Sequence, residues 1–324
     1  MTDASPARCF VCGARDLRPT DRTLRYGDGR QRPFRLACAS CGVLLDDPGA
    51  MADARHHAER ALAGDRYASD FEAPYGLDIY TLRTLASAHG RAVRPSGPEQ
   101  AKALISPHAA LAADAALIDP PSSAQAAITL AILCRATDAP AVLARASAYP
   151  AWTDDVLVLV DAETAEALPE RAGVRVAARP LAGDFSKQRN AAQDLARHAW
   201  VFQLDADETV DAALFAALGR LATGAGAEVR SIGLPRRNLV DGVLSDLYPD
   251  TQYRLNRRDV RYGGRVHERP ALGSWRESFI ALPGAIQHHL DRAHVEARSQ
   301  RYEAMAPGGG RLFESEALLR PFQP

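Results

Sequence analysis

Downstream of residue 125 the chain alternates short, wholly apolar runs with stretches of helical periodicity. AITLAILC (127–134) and DVLVLVD (155–161) are too short for helices and too continuously apolar for strands with a wet face. They predict strands buried on both sides. APAVLARASAYPAW (139–152) between them reads as a helix. The three make a βαβ unit, which implies a parallel sheet and a right-handed crossover. GVRVAARPL (173–181) predicts a third strand, leading to a helix with Ser186 as N-cap and Ala191, Ala192, Leu195 and Ala196 on one face. Trp200, Val201, Phe202 and Leu204 form a further buried strand, and DAALFAALGRLA (211–222) an amphipathic helix. EVRSIGLPRRN (228–238), TQYRLNRRD (251–259) and FIALPGAI (279–286) complete the strands. The fold class is α/β, a mainly parallel sheet flanked by helices.

Upstream, the signals are cysteine and punctuation. Cys9 and Cys12 form one C-x-x-C knuckle and Cys38 and Cys41 another, each followed by a glycine, Gly13 or Gly42. Four thiolates so spaced can close tetrahedrally around a structural Zn²⁺, with the glycines easing the turns. A disulfide pair or free thiols is the competing reading. No apolar leader is visible in Met1 to Arg8, so a reducing compartment and zinc are expected. With all four positions filled by cysteine, no coordination site is left for catalysis. Residues 51–125 read as a helical connector, with RAVRPSGPEQ (91–100) and IDPPSSAQ (118–125) as proline-rich linkers. Adjacent His56 and His57 do not share a helix face, so a solvated pair is expected there.

The candidate chemistry lies where the fourth core strand ends in Asp205, Ala206, Asp207, Glu208. On extended backbone, residues two apart point the same way, so the Asp205 and Asp207 carboxylates can converge. Hard oxygen ligands at the C-terminal end of an α/β strand suit a Mg²⁺ or Mn²⁺ ion carrying a diphosphate. The triplet alone is short, and a solvated acidic turn is the bland alternative. An EF-hand loop is excluded, because Val210 stands where its sharp turn needs glycine.

QRNAAQDLARHAWVFQLDADETVD resembles the centre of family 2 glycosyltransferases, in the branch of lipopolysaccharide-core glucosyltransferase-like proteins. There an Arg-Asn pair precedes a strand ending in Asp-x-Asp-Glu. The resemblance continues through LPRRNLVDGVLSDLYPDTQYRLNRRDVRYGGRVHERP (234–270) and ends near IQHHLDR, covering about residues 127–306. It implies a GT-A fold for 126–306, after a zinc ribbon (1–50) and the connector, with a flexible tail at 307–324. It also implies a nucleotide-diphosphate sugar as donor and transfer with inversion to a glycan or lipid-linked glycan of cell-surface or lipopolysaccharide type. Asp205, Asp207 and His288 would hold Mn²⁺ or Mg²⁺. Asp161 would bind the nucleoside, while Arg189, Asn190, Asp205 and Arg254 would place the donor. Glu268, oriented by His267, would deprotonate the acceptor hydroxyl, with Glu208 and Asp246 as other candidates. For Glu268 an ion pair with Arg269 is the bland reading. His294 is expected to be exposed. One departure is that Arg135, Ala136 and Thr137 follow the first strand, where the family has a small polar residue or Asn-Glu.

Composition changes little. The chain has 324 residues, 47% of them hydrophobic, and a net charge of −1, which gives no electrostatic case for nucleic acid. No apolar run reaches membrane-spanning length, so a cytoplasmic protein is expected, with any membrane contact peripheral. Among basic residues only Lys102 and Lys187 are not arginine. Two rival functions stand beside the transferase. One is a degenerate transferase domain serving as an interaction module. The other, a nucleotidyltransferase, would need a glycine-rich phosphate loop that CRATDAPAV does not supply. The zinc knuckle with DRYASDFEAPYGLDIY also resembles the head of some S-adenosylmethionine methyltransferases, but no glycine-rich strand-turn-helix follows it.

Overall fold

The computed structural model describes residues 8–107, 109–120, 125–165, 169–293, 295, 297, 303, 304 and 312–323. His294 and residues 307–311 of the tail lie outside them. The chain forms two compact units, one of Met1–Ser122 with Ser274–Gly284, the other of Ser123–Gly273 with Ala285–Gln323.

The second unit is built on the expected strands. β1 (Ile128–Arg135), β2 (Val156–Asp161), β3 (Val174–Ala178) and β4 (Trp200–Asp205) lie in the order β3-β2-β1-β4, all parallel. Residues 128–134 and 156–160 are buried without a break, which is why these runs do not alternate. β5 (Glu208–Val210) follows the acidic turn; β6 (Ser231–Leu234), β7 (Arg236–Val240), β8 (Val243–Leu244), β9 (Gln252–Arg257) and β10 (Ile286–Leu290) complete the unit's larger strands. β9 pairs antiparallel with both β4 and β6, extending the main sheet beyond the acidic strand. A small second sheet runs β5-β10-β7-β8 and sets Glu208 opposite His288. The helices are α1 (Ala139–Ala146), α2 (Phe185–Leu195), α3 (Ala212–Gly224) and α4 (Leu312–Leu319).

At the N-terminal edge of the parallel strands Asp155 ties three segments together. It accepts from the Thr129 hydroxyl at 2.6 Å, the Arg197 amide at 2.9 Å and Arg175 Nε at 2.8 Å. Burial pushes its carboxyl up, but these donors outweigh burial and hold it below its ordinary value.

Two local expectations are corrected. The N-cap of α2 is Asp184, whose carboxylate accepts from the Lys187 amide; the Ser186 hydroxyl donates to that carboxylate instead. The buried face of α2 carries Gln188, Arg189 and Gln193 beside Ala192, while Leu195 is 40% exposed. Gln193 donates to the carbonyls of Arg257 and Val260, and Gln203 donates to the Arg189 carbonyl and to Gln193. Ala192 and Ala196, with Ala191 beside them, do pack on Ala131, Leu157, Leu159 and Val201, and a satisfied amide network lies alongside that apolar stripe. The tail differs as well over its described part. Leu318 of α4 packs with Val240, Leu290 and Val295, and the Phe322 amide donates to the Leu244 carbonyl.

In the first unit, residues 51–118 carry three helices (Met51–Leu62, Ile79–Ala88, Pro98–Ile105) and a small sheet of Arg66–Ala68, Asp114–Ile118 and Ala92–Pro95. RAVRPSGPEQ, read as a linker, is the last of those strands and the start of a helix whose first residue is Pro98. One core joins the cysteines to Ala54, Ala58, Leu62, Leu82 and Leu117, so the ribbon and the segment after it fold together.

Candidate functional site

Two constellations carry chemistry. In the first unit the four cysteines are buried with their sulfurs together, all within 4.8 Å of one another. Cys9 and Cys41 sulfurs are 3.7 Å apart, and those of Cys12 and Cys38 3.6 Å. A disulfide needs about 2.0 Å. Tetrahedral Zn–S bonds of about 2.3 Å put sulfurs about 3.8 Å apart, which fits. Gly13 and Gly42 sit at φ 78° and 87°, the left-handed conformation these knuckles require.

In the second unit the C-terminal edge of the parallel sheet opens into a cavity of about 730 Å³. Asp161, Arg189, Asp205, Asp207, Arg254, His267, Glu268 and His288 line it; Asn190 does not. The four residues of the acidic turn are each held. Asp205 receives Arg189 NH2 on both oxygens, at 2.8 and 3.0 Å, and Arg254 NH2 at 2.5 Å. The Ala206 carbonyl accepts from Arg145 on α1 at 2.7 Å. Asp207 Oδ2 lies 3.3 Å from His288 Nε2. Glu208, fully buried, accepts from the Asp205 amide at 3.0 Å and from Arg236 at 2.9 Å.

Burial pushes the Asp205 carboxyl up, to about 8, against the pull of Arg189 and with repulsion from Glu208, Asp207 and Glu268. Three guanidinium contacts within 3.0 Å, and a side chain still 34% exposed, favour its ionised form nonetheless. Burial also opposes ionisation of Asp207, but His288 and Arg236 outweigh it and bring the carboxyl down to about 2. His288 is itself pushed below its ordinary value by burial and by Arg236, which favours neutral imidazole.

The tautomer of His288 follows from its neighbours. Asn238 Nδ2 donates to Asp250 Oδ2 at 3.1 Å and to the Leu247 carbonyl, so its Oδ1 faces His288 Nδ1 at 2.7 Å. That oxygen only accepts, so Nδ1 carries the hydrogen and Nε2 of the neutral ring presents a lone pair. The lone pair faces the Asp207 carboxylate. At 3.3 Å either a proton on Nε2 or a cation can bridge the two groups. Octahedral bonds of about 2.1 Å put neighbouring ligands about 3.0 Å apart, close to the spacing here. The imidazole N–H held by an amide oxygen is also the support a metal-binding histidine needs. Asp207 and His288 thus fit a divalent ion. Asp205 does not join them as a third ligand, because its carboxylate is turned to two arginines. Among the described residues the cysteines are the one cluster of three or more such groups.

The other expected residues are distributed as follows. Asn190 binds the Tyr262 backbone twice, donating to its carbonyl and accepting from its amide, so it shapes that loop and is not available to a donor. Asp161 lines the cavity and accepts from the Leu181 amide at 2.8 Å. Glu268 is bound through Oε1 to Arg189 Nε, with Arg254 at 3.9 Å, and no pairing with Arg269 is seen among the described residues. His267 beside it is left-handed, at φ 52°. Glu208 is enclosed by its donors, and Asp246 pairs with Arg320 at 3.0 Å, outside the cavity lining; neither is placed as a base. Sequence reasoning missed Arg145, Arg236, Asn238 and Asp250. Arg236 ties Glu208 to Asp250, at 2.6 Å. Isolated arginines in a chain rich in them gave no signal.

No family model and no curated protein matches the chain. Among solved structures, S. aureus TarS 1-349 aligns at 12% identity and TM-score 0.31, over 55% of this chain and 64% of that one. S. aureus TarS aligns at the same identity and score over 39% of its length. The chain thus spans less than two thirds of either neighbour, and a likeness so faint decides neither fold nor activity. No helix among the described residues is long and apolar enough to cross a membrane.

Proposed function

We propose that the chain is a metal-dependent glycosyltransferase with a GT-A-type domain, using a nucleotide-diphosphate sugar. The observation that supports this is the Asp207–His288 pair, a carboxylate and an imidazole nitrogen facing each other at the C-terminal edge of a parallel sheet. Nucleotides bind at that edge of α/β sheets. The cavity is large enough for a nucleotide sugar and has a rim rich in arginine. Asp207 and His288 would hold Mn²⁺ or Mg²⁺, and the ion would act as a Lewis acid on the leaving diphosphate. Arg189 and Arg254 hold Asp205 and Glu268 in place.

The acceptor's hydroxyl oxygen would attack the anomeric carbon while the bond from that carbon to the phosphate oxygen breaks. The bonding pair leaves on the nucleoside diphosphate, and the hydroxyl proton passes to Glu268. Attack from the face opposite the leaving group inverts the anomeric centre. Asp161, at the end of β2, would meet the nucleoside. The acceptor class, a glycan or lipid-linked glycan of the cell surface, rests on the sequence resemblance.

The test is a nucleotide-sugar panel with Mn²⁺, read as release of nucleoside diphosphate and as thermal stabilisation. One donor should give metal-dependent release that Asp207→Ala abolishes. Absence of both signals with every donor would end the transferase reading and leave the interaction module.

A further inference from the structure

Arginines and carboxylates both line the cavity, and most of its buried arginines are paired. Arg189 and Arg254 are matched by Asp205 and Glu268, and Arg236 by Glu208 and Asp250. Arg135 and Arg269 stand exposed on the rim, where water screens them. Arg145 differs. It is half-buried in the cavity wall, and its NH2 donates to an uncharged group, the Ala206 carbonyl at 2.7 Å. No carboxylate pairs with it among the described residues, and its Nε is buried without a hydrogen-bond partner. A withdrawn cation with neither counter-ion nor full hydrogen bonding is costly unless an anion arrives.

We propose that Arg145 binds the donor's diphosphate, supplying a positive charge additional to the metal held at Asp207 and His288. This rests on the transferase reading for the identity of the anion. The placement suits the role in two ways. Arg145 lies on the first crossover helix, and Arg135 at the end of β1 with Thr137 and Asp138 of the loop between them lines the same cavity. Its guanidinium also ties down the middle residue of the turn that presents Asp207. One side chain then touches both the phosphate region and the metal-bearing turn, and the planar fork can serve both.

Inorganic pyrophosphate without metal is the probe, titrated into the full-length protein by calorimetry. The wild type should bind it, more weakly as salt rises. Arg145→Met should weaken binding about tenfold or more, and Arg145→Lys should keep it within about tenfold. Arg145→Gln retains an N–H for the Ala206 carbonyl but no charge, and should show the same loss with the turn still tied. A residue that only pins the turn would behave otherwise, lowering Mn²⁺ affinity and leaving pyrophosphate untouched; that result, or no pyrophosphate binding by the wild type, overturns the proposal. If pyrophosphate binding requires Arg145 but no nucleotide sugar is turned over, the transferase reading fails and the anion site stands.

Discussion

Asn238 is the residue on which the metal pair turns. Its amide is locked by Asp250 and the Leu247 carbonyl, and through Oδ1 it decides which nitrogen of His288 is left bare. Asn238→Leu removes that acceptor and lets the imidazole hydrogen move to the nitrogen facing Asp207. Mn²⁺ affinity, followed by paramagnetic resonance, should fall about 10–100-fold. Unchanged affinity would mean that the ion is held elsewhere. Asp207 and His288 were legible as cavity neighbours, because they sit within motif-like surroundings. Asn238 was not, since a lone asparagine in a strand does not announce a partner 50 positions along the chain. Asn190 was legible as a site neighbour and misread in role, because its two bonds go to a backbone that only the fold brings near.

Strands were read well because burial on both faces writes itself as an unbroken apolar run. Helix α2 was read in part: its alanines pack as expected, but periodicity reports only apolar stripes and is silent on the amide network beside them. The ends of the parallel strands divide the labour: the C-terminal edge carries the acids of the site, while Asp155 staples the N-terminal edge. Asp155→Asn should cost about 1–2 kcal/mol, measured by denaturant unfolding, because a buried carboxylate that accepts from Thr129, Arg197 and Arg175 loses its charge. The sign of the pH effect follows from the lowered carboxyl. Folded Asp155 ionises below the unfolded value of about 3.9, so its contribution is full above that pH and is lost as pH falls through the folded value. That segment of the acid unfolding profile should be missing from the variant; identical profiles would count against a stabilising role.

The whole molecule was the hardest scale to read. Two knuckles of cysteine gave the four-thiol cluster, yet nothing in the sequence joined it to residues 274–284, since contact across such a separation leaves no periodic trace. Elemental analysis should find one zinc per chain in the purified protein, and chelation or Cys38→Ser should lower the melting temperature of the first unit; a metal-free protein with unchanged melting would contradict the site. Arg276, fully enclosed in that unit, donates to Asp78 and to the Ala103 carbonyl, and the Leu282 amide donates to Ser87. A fragment ending at residue 122 would therefore keep all four cysteines and still lose the guanidinium that Asp78 and the end of a helix are built around. The chain passes from one unit to the other, back, and out again. Such a unit cannot be exchanged between genes by a single breakpoint: a recombinant must draw both of its stretches from the same parent, or the cysteine-bearing half arrives without its keystone.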